Sequence, residues 1–350
     1  MNIYIFMILG LSAVAIFNRF AKLHDKYTIG VMFIVLVLIA GLRYMVGTDY
    51  TAYILNYENY KTESLLEFNK LGVRIIAHIS MLIKDDYATW FFMMSLFSVG
   101  LSIIAIYRYS DYAVLSVFMF VFLGCWHGSF NLVKQYGAVA VLLIGQETVL
   151  KRDFKKWIII CGIAAIFHIS ALFLIPIYFL VTAEVNKKHV LMLAVIGIAI
   201  SFGYEYLFDI MSFLKEGEST TSIDSSVGSR QVNIIRVAVA CAPPLLMYLY
   251  RNELDFTKGK ICIWANISIL NAVFYIAARN SVYLTRFCVY TDVFNAFLLP
   301  SVWMGIKRPN DRKLVIASCL LLYCCFWLYD LSKGSTTSVF QWIFDRNRGV

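Results

Sequence analysis

Four stretches of the chain, Ile29–Ala40, Tyr112–Trp126, Trp157–Val181 and Val190–Ile200, contain no Lys, Arg, Asp or Glu. With their flanks several of them reach about the 20 apolar residues that a helix needs to cross a bilayer. A chain built this way is expected to be an all-α polytopic integral membrane protein. Only 15% of its 350 residues are charged and 60% are hydrophobic, against ~25% charged in a soluble globular domain, which excludes an ordinary cytosolic enzyme. Five prolines, no repeat and no low-complexity tract leave no room for a separate soluble fold, so residues 1–350 are expected to form a single membrane domain.

The formal charge of +9 is not a nucleic-acid signal, because the basic residues sit in short loops between apolar runs and not on one solvated face. Arg19, Lys22 and Lys26, then Lys151, Arg152, Lys155 and Lys156, then Arg251, Lys258 and Lys260, then Lys307, Arg308, Arg312 and Lys313 mark cytoplasmic loops by the positive-inside rule. The first run, Ile3–Phe17, has no basic residue before it and no small-residue cleavage site after it, so it is expected to be a retained helix starting outside. The eight cysteines form no CxxC pair; neither a zinc site nor a disulfide framework is indicated, and no cofactor is expected.

Threaded from outside, helix two covers about Thr28–Val46 and returns to the external face. Residues 47–87 follow as an external loop, too polar to span and expected to hold amphipathic helices on the membrane surface. Ala88–Tyr107 goes in, Tyr112–Trp126 comes out and Val133–Leu150 returns, leaving His127, Asn131 and Lys134 outside. Parity then fails by one at Trp157–Val181. The repair is to split that run into two half-helices that enter from the cytoplasm, turn near His168–Ser170 and go back, as broken helices do where they line a polar cavity. Val190–Phe213 exits, residues 214–231 form a second external loop, and Val232–Tyr250, Ile261–Ala278, Leu284–Gly305 and Leu314–Asp330 complete about ten to twelve transmembrane helices.

Charged and polar residues in these runs are the candidates for function. Arg43 falls at the apolar end of helix two, followed by Gly47, Thr48, Asp49, Tyr50 and Tyr53. Arg43 either snorkels to the headgroups, with Asp49 a mere helix cap, or has a role. Tyr50, Tyr53, Tyr57 and Tyr60 recur at helical spacing, as an interfacial aromatic belt or a sugar-stacking face. His168 stands inside the most apolar long run, either a packed histidine or, at a helix break, a proton acceptor near neutrality. Lys134, Arg236 and Arg286 lie at external helix ends, where each alone reads as an anchor. With Arg43 they point to an anion at the outer leaflet, and a diphosphate suits such cations. Glu205 and Asp209 form an acidic i,i+4 pair, read first as partners for Arg230 or Arg236.

At these residues the sequence resembles the EpsG-like branch of the Wzy-type polysaccharide polymerases. Arg43-Tyr-Met-Val-Gly47-Thr-Asp49-Tyr50 with Tyr53 is similar to that family's Arg-x-x-x-Gly-x-Asp-Tyr-x-x-Tyr signature. Asn131-Leu-Val-Lys134-Gln135 is similar to an Asn-x-(Ile/Val)-Arg-Gln segment, Phe167-His168-Ile-Ser170-Ala-Leu172 to a Phe-His-x-Ser-Ala-Leu segment, and Arg286 with Tyr290 opens a late span. Lys134 departs from the pattern, since an arginine is usual there and a lysine cannot fork onto phosphate. The resemblance implies a metal-independent glycosyltransferase that joins undecaprenyl-diphosphate-linked glycans at the external face of the bacterial inner membrane. Membrane lipids, a chain-length regulator and a flippase are its implied partners. It implies Arg43, Arg286, Lys134 and Arg236 as diphosphate-binding, His168 and Asp49 as catalytic, with His168 preferred as base, and Tyr50, Tyr53 and Tyr290 as substrate-binding.

Two other functions fit parts of the pattern. A transporter of a lipid-linked or anionic solute also uses buried arginines and broken helices, but commonly shows hydropathy repeats, and none is found. A membrane acyltransferase would use a buried histidine, with donor access from the cytoplasmic side, opposite to these cations.

Overall fold

The computed structural model describes residues 2–63, 70–213, 232–279, 284–334 and 339–346. Among them there is no β-strand, only helices and one isolated antiparallel bridge. The chain divides into two compact units, residues 1–175 with 313–350, and residues 176–312.

In unit 1, α1 (Asn2–Phe20) and α2 (Asp25–Gly41) are joined by a tight turn in which His24 caps α2, its ring accepting from the Lys26 N–H. Asp25 in the first turn favours the same start through the helix dipole. Two short helices follow in the 47–87 segment, α3 (Tyr50–Tyr60) and α4 (Leu71–Ile83), as its mixture of polar and apolar residues predicts. Helix α5 (Tyr87–Tyr109) starts where Asp86 accepts from the Ala88 N–H at 3.0 Å and carries a π-helical turn at Leu96–Gly100. Next come α6 (Ala113–Phe122), one turn of helix at Cys125–Gly128, α7 (Val133–Gly145) and α8 (Phe154–Ala165).

After α8 the chain breaks. Residues Ile169–Phe173 form a 3₁₀ turn, and α9 (Leu174–Val181) follows. The indole N–H of Trp157, near the start of α8, donates to Leu174 O at 3.1 Å. A continuous helix would place those residues about 25 Å apart, so the run expected to split near His168–Ser170 does reverse there.

Unit 2 holds α10 (Lys187–Phe213), α11 (Ile234–Leu249), α12 (Gly259–Ala277), α13 (Thr285–Asp292) and α14 (Asn295–Gly305). The side chains of Glu205 and Asp209 and the loop at 214–231 lie outside the described residues. Helix α15 (Pro309–Lys333) returns the chain to unit 1.

Among the described residues, four helices, α1, α5, α12 and α15, are long and apolar enough to span a membrane, and the bent pair α13–α14 makes five. The sequence expectation was ten to twelve. Where an expected span is shorter or bent in the structure, the cause is local. Gly124, at φ +86°, ends the run through α6 after ten helical residues. Leu284–Gly305, expected as one span, bends by 49° between Asp292 and Asn295. Helix α2 stops at Gly41, so Arg43, expected within that helix, lies beyond it.

Candidate functional site

Arg43 is 2% exposed. Its guanidinium donates to Ala40 O at the end of α2, to Ser95 Oγ on α5 at 3.4 Å and to Phe130 O at 3.3 Å. The rings of Phe130, Phe91 and Tyr50 lie 4.7, 4.9 and 5.9 Å from its Cζ. Among the described residues no carboxylate pairs with it, and its Nε–H has no hydrogen-bond partner. A buried cation is costly unless it is hydrogen-bonded, and here three acceptors and three aromatic faces offset the loss of water. The snorkelling alternative is excluded by this burial. Arg43 ties three chain segments together and sets an uncompensated positive charge beneath the loop that follows.

That loop is shaped by the rest of the signature. Gly47 has φ +114°, and a Cβ there would lie 2.7 Å from Asn131 Oδ1 and 3.2 Å from Phe130 O, so both conformation and space require glycine. The Thr48 N–H donates to Asn131 Oδ1 at 2.7 Å and the Tyr53 hydroxyl to Asn131 O at 3.0 Å. The Tyr50 hydroxyl donates back to Arg43 O at 3.1 Å, and its ring stacks on Phe91 at 4.3 Å. Tyr57 and Tyr60 complete a buried stripe against Trp90. The four tyrosines therefore pack inward. Asp49 occupies the N-cap position of α3, but its side chain caps nothing; it is exposed, with Oδ1 accepting from the Thr48 hydroxyl at 3.1 Å. Lys134, half-buried, sits in the first turn of α7, three residues beyond Asn131.

Residues 339–346 lie across this motif. The Tyr44 N–H donates to Gln341 O and the Ile343 N–H to Leu42 O, both at 2.8 Å, with Arg43 bridged to Trp342. Arg346 Nη1 donates to both carboxylate oxygens of Asp86, Oδ1 at 3.0 Å and Oδ2 at 2.8 Å.

His168 stands at the break after α8, where it caps the 3₁₀ turn. Its Nδ1 lies 2.6 Å from Ser170 Oγ and accepts from the Ser170 N–H at 3.4 Å. With Nδ1 engaged as acceptor, the hydrogen of the neutral ring sits on Nε2. The break is met by α4, whose Gly72 N–H donates to Ile166 O at 2.9 Å, while Phe167 stacks on Phe97 of α5 at 4.8 Å. Phe97 is six residues along α5 from Phe91, which places the break about 9 Å from the level of Arg43.

In unit 2, Arg286 is exposed in the first turn of α13, Tyr290 is buried one turn on, and Arg236 is half-buried in the first turn of α11. Beside them lies a buried polar group absent from the sequence reading. Asn271 Nδ2 donates to Asp292 Oδ1 and Thr291 Oγ1, both at 2.9 Å, the Tyr275 hydroxyl donates to Asp292 Oδ2 at 2.8 Å, and Asn295 Nδ2 donates to Asn271 Oδ1 at 3.2 Å. This network fixes the bend between α13 and α14, and Arg236 lies within electrostatic reach of Asp292. Asn271 and Tyr275, four apart in an apolar run, were the available signal. A second buried arginine, Arg74, is 1% exposed and paired with Glu63 at 2.7 Å, in the first turn of α4 just before the apolar run Ile75–Ile83.

The structure thus brings Arg43, Tyr50, Tyr53 and Asn131 into one assembly with Asp49 and Lys134 at its edge, and places His168, half-buried, elsewhere in the same unit. Arg236, Arg286 and Tyr290 belong to the other unit. Among the described residues no cluster of His, Cys, Asp or Glu is arranged to hold a metal ion. The sequence model of the EpsG family matches residues 26–344. No curated protein and no solved structure matches the chain.

Proposed function

The chain belongs to the EpsG family, and from that membership we propose that it joins undecaprenyl-diphosphate-linked repeat units into polysaccharide at the external face of the bacterial inner membrane. The observation that carries this reading is the Arg43–Tyr53 loop, folded onto Asn131 so that the one carboxylate of the signature, Asp49, is left open at its surface.

In the reaction an acceptor hydroxyl oxygen bonds to the anomeric carbon of the donor sugar. The carbon–oxygen bond to the lipid diphosphate breaks, its electron pair leaves with the diphosphate, and the hydroxyl proton passes to a base. Asp49 is the better placed base, because it is exposed and, among the described residues, its carboxylate accepts only from Thr48. His168, preferred from sequence, uses Nδ1 as a cap and serves better as a donor through Nε2–H. Lys134, in the same unit as Asp49, contacts the diphosphate as a fixed cation; Arg236 and Arg286 are fixed cations of the other unit. Arg43 acts from beneath the loop through its charge and the shape it imposes. Tyr50 and Tyr53 hold the Asp49 loop, and Tyr290 seats the half-helix that carries Arg286.

The test is deletion of the gene in its host and restoration at matched membrane levels as wild type, Asp49→Ala, His168→Ala, Arg286→Ala, Arg43→Ala or Arg43→Lys, with surface glycan lengths resolved on a gel. Wild type should give a ladder, while Asp49→Ala, Arg286→Ala and Arg43→Ala leave at most a single unit. Arg43→Lys should fail to restore it, since one ammonium cannot reach three acceptors in different directions; a tenfold or greater loss of long chains is expected. A deletion that keeps its ladder, or that loses even the single unit, overturns the reading.

A further inference from the structure

His127 and two residues of α15 about 200 positions later, Trp327 and Asp330, form a chain of hydrogen bonds in the unit that holds the Arg43 motif. The Trp327 indole N–H donates to His127 Nδ1 at 2.9 Å, and His127 Nε2 lies 3.3 Å from Asp330 Oδ2. An indole nitrogen only donates. His127 Nδ1 must therefore present its lone pair, and the hydrogen of the ring sits on Nε2, directed at the carboxylate. Contact with Trp327 selects the tautomer, and the tautomer orients Asp330.

Burial is graded along this chain. Trp327 is 1% exposed, the His127 side chain 11% and the Asp330 side chain 24%. Its place is fixed by neighbours from several segments. Tyr4 packs edge-on against both Trp126 and Trp327, and Trp126 donates to Leu36 O at 3.1 Å. His127 belongs to the same short turn that leads to Phe130 and Asn131, the residues that receive Arg43, Thr48 and Tyr53. A joint needed only for packing would be served by apolar side chains without the cost of burying the polar ring of His127. An oriented carboxylate at the accessible end of such a chain is a strong acceptor for hydroxyl groups, which bind to it in short, charge-assisted hydrogen bonds.

We propose that Asp330, aligned by His127 and Trp327, is a sugar-binding residue whose carboxylate accepts hydrogen bonds from hydroxyls of the lipid-linked repeat unit. The inference rests on the polymerase reading above. His127 and Trp327 are positioning residues and do not touch the sugar.

The test uses the full chain purified in lipid nanodiscs, supplied with undecaprenyl-diphosphate-linked repeat unit extracted from the deletion host, with initial rates measured against its concentration. Asp330→Asn should raise KM about tenfold or more, as loss of a charge-assisted hydrogen bond does, while kcat stays within about twofold. His127→Phe and Trp327→Phe should raise KM less. His127→Gln should restore it, because the amide accepts from Trp327 through oxygen and donates to Asp330 through nitrogen. Should Asp330→Asn fail to accumulate in the membrane, the contrast between His127→Phe and His127→Gln decides the same question. Variants with a lowered melting temperature but an unchanged KM would make the chain of bonds a structural joint and overturn the proposal, as would a fall in kcat at constant KM. Polymer from the wild type with an unaltered KM in Asp330→Asn sinks this proposal alone. Failure of the wild type to polymerise sinks the polymerase reading and this inference with it.

Discussion

At position 47 the backbone, at φ +114°, is in a region that side chains rarely adopt, and the space a methyl group would need is already taken by Asn131 Oδ1. Both costs fall on the same atom. The Asn131 carboxamide cannot retreat without releasing the Thr48 N–H, and that bond holds the residue before Asp49. Gly47→Ala is therefore expected to destabilise the purified protein by about 1–3 kcal/mol, read as a lower melting temperature in detergent, and to reduce polymer length even at matched levels. An unchanged melting temperature would show that the loop has a second conformation open to alanine. The same site shows what a sequence can and cannot disclose about a residue. Arg43 stands out because a cation at the end of an apolar run needs a reason, whereas its acceptors, Ser95 and Phe130, lie 52 and 87 residues away. Asp330 and His127 are 203 apart, and nothing in the local pattern of either hints at the other.

At the scale of elements, apolar runs were legible and their ends were not, because an end is decided by what the backbone meets next. Helix α2 stops at Gly41 since Leu42, Arg43 and Tyr44 pair with residues 341–343, and that partner arrives only when the C-terminal segment folds back. The break at His168 was foreseen from charge parity alone, and its means, a histidine capping a 3₁₀ turn, is local. The bend at Asp292 gave no such sign. The C-terminal strap also carries a pH dependence. Burial of Asp86 opposes its charged form, but the Ala88 N–H and the Arg346 guanidinium outweigh that and hold its carboxyl below the usual value. A carboxyl depressed on folding stabilises fully above its unfolded pKa, ~3.9, and that contribution is lost as pH falls through the lower folded value. Hydrogen exchange at the Ile343 and Tyr44 amides, corrected for intrinsic rates, should thus stay slow from pH 7 to about pH 4 and accelerate below. Arg346→Ala should exchange faster throughout, with much of the acid step removed. Identical profiles for the two proteins would mean that the backbone pairing alone keeps the strap closed.

For the whole molecule, the reversal after α8 bears directly on which side each loop faces. If α8 and the segment up to Leu174 form a hairpin, as the Trp157–Leu174 hydrogen bond requires, the chain leaves on the side by which it entered. That side carries Lys151, Arg152, Lys155 and Lys156, and the next basic pair, Lys187 and Lys188, then falls on it too, as the positive-inside rule demands. A straight helix from Trp157 to Val181 would instead strand that pair outside. Composition alone identifies a membrane protein either way, and this is why the class was legible early while the threading depended on one hydrogen bond between residues 17 apart. In a background lacking the eight native cysteines, Val185→Cys should resist a membrane-impermeant thiol reagent in intact cells and react once the membrane is permeabilised. Thr62→Cys, on the exposed surface of the 47–87 segment, should react in both. Labelling of Val185→Cys from outside would show that the hairpin crosses the membrane, and would overturn the assignment of Lys187 and Lys188 to the cytoplasmic side.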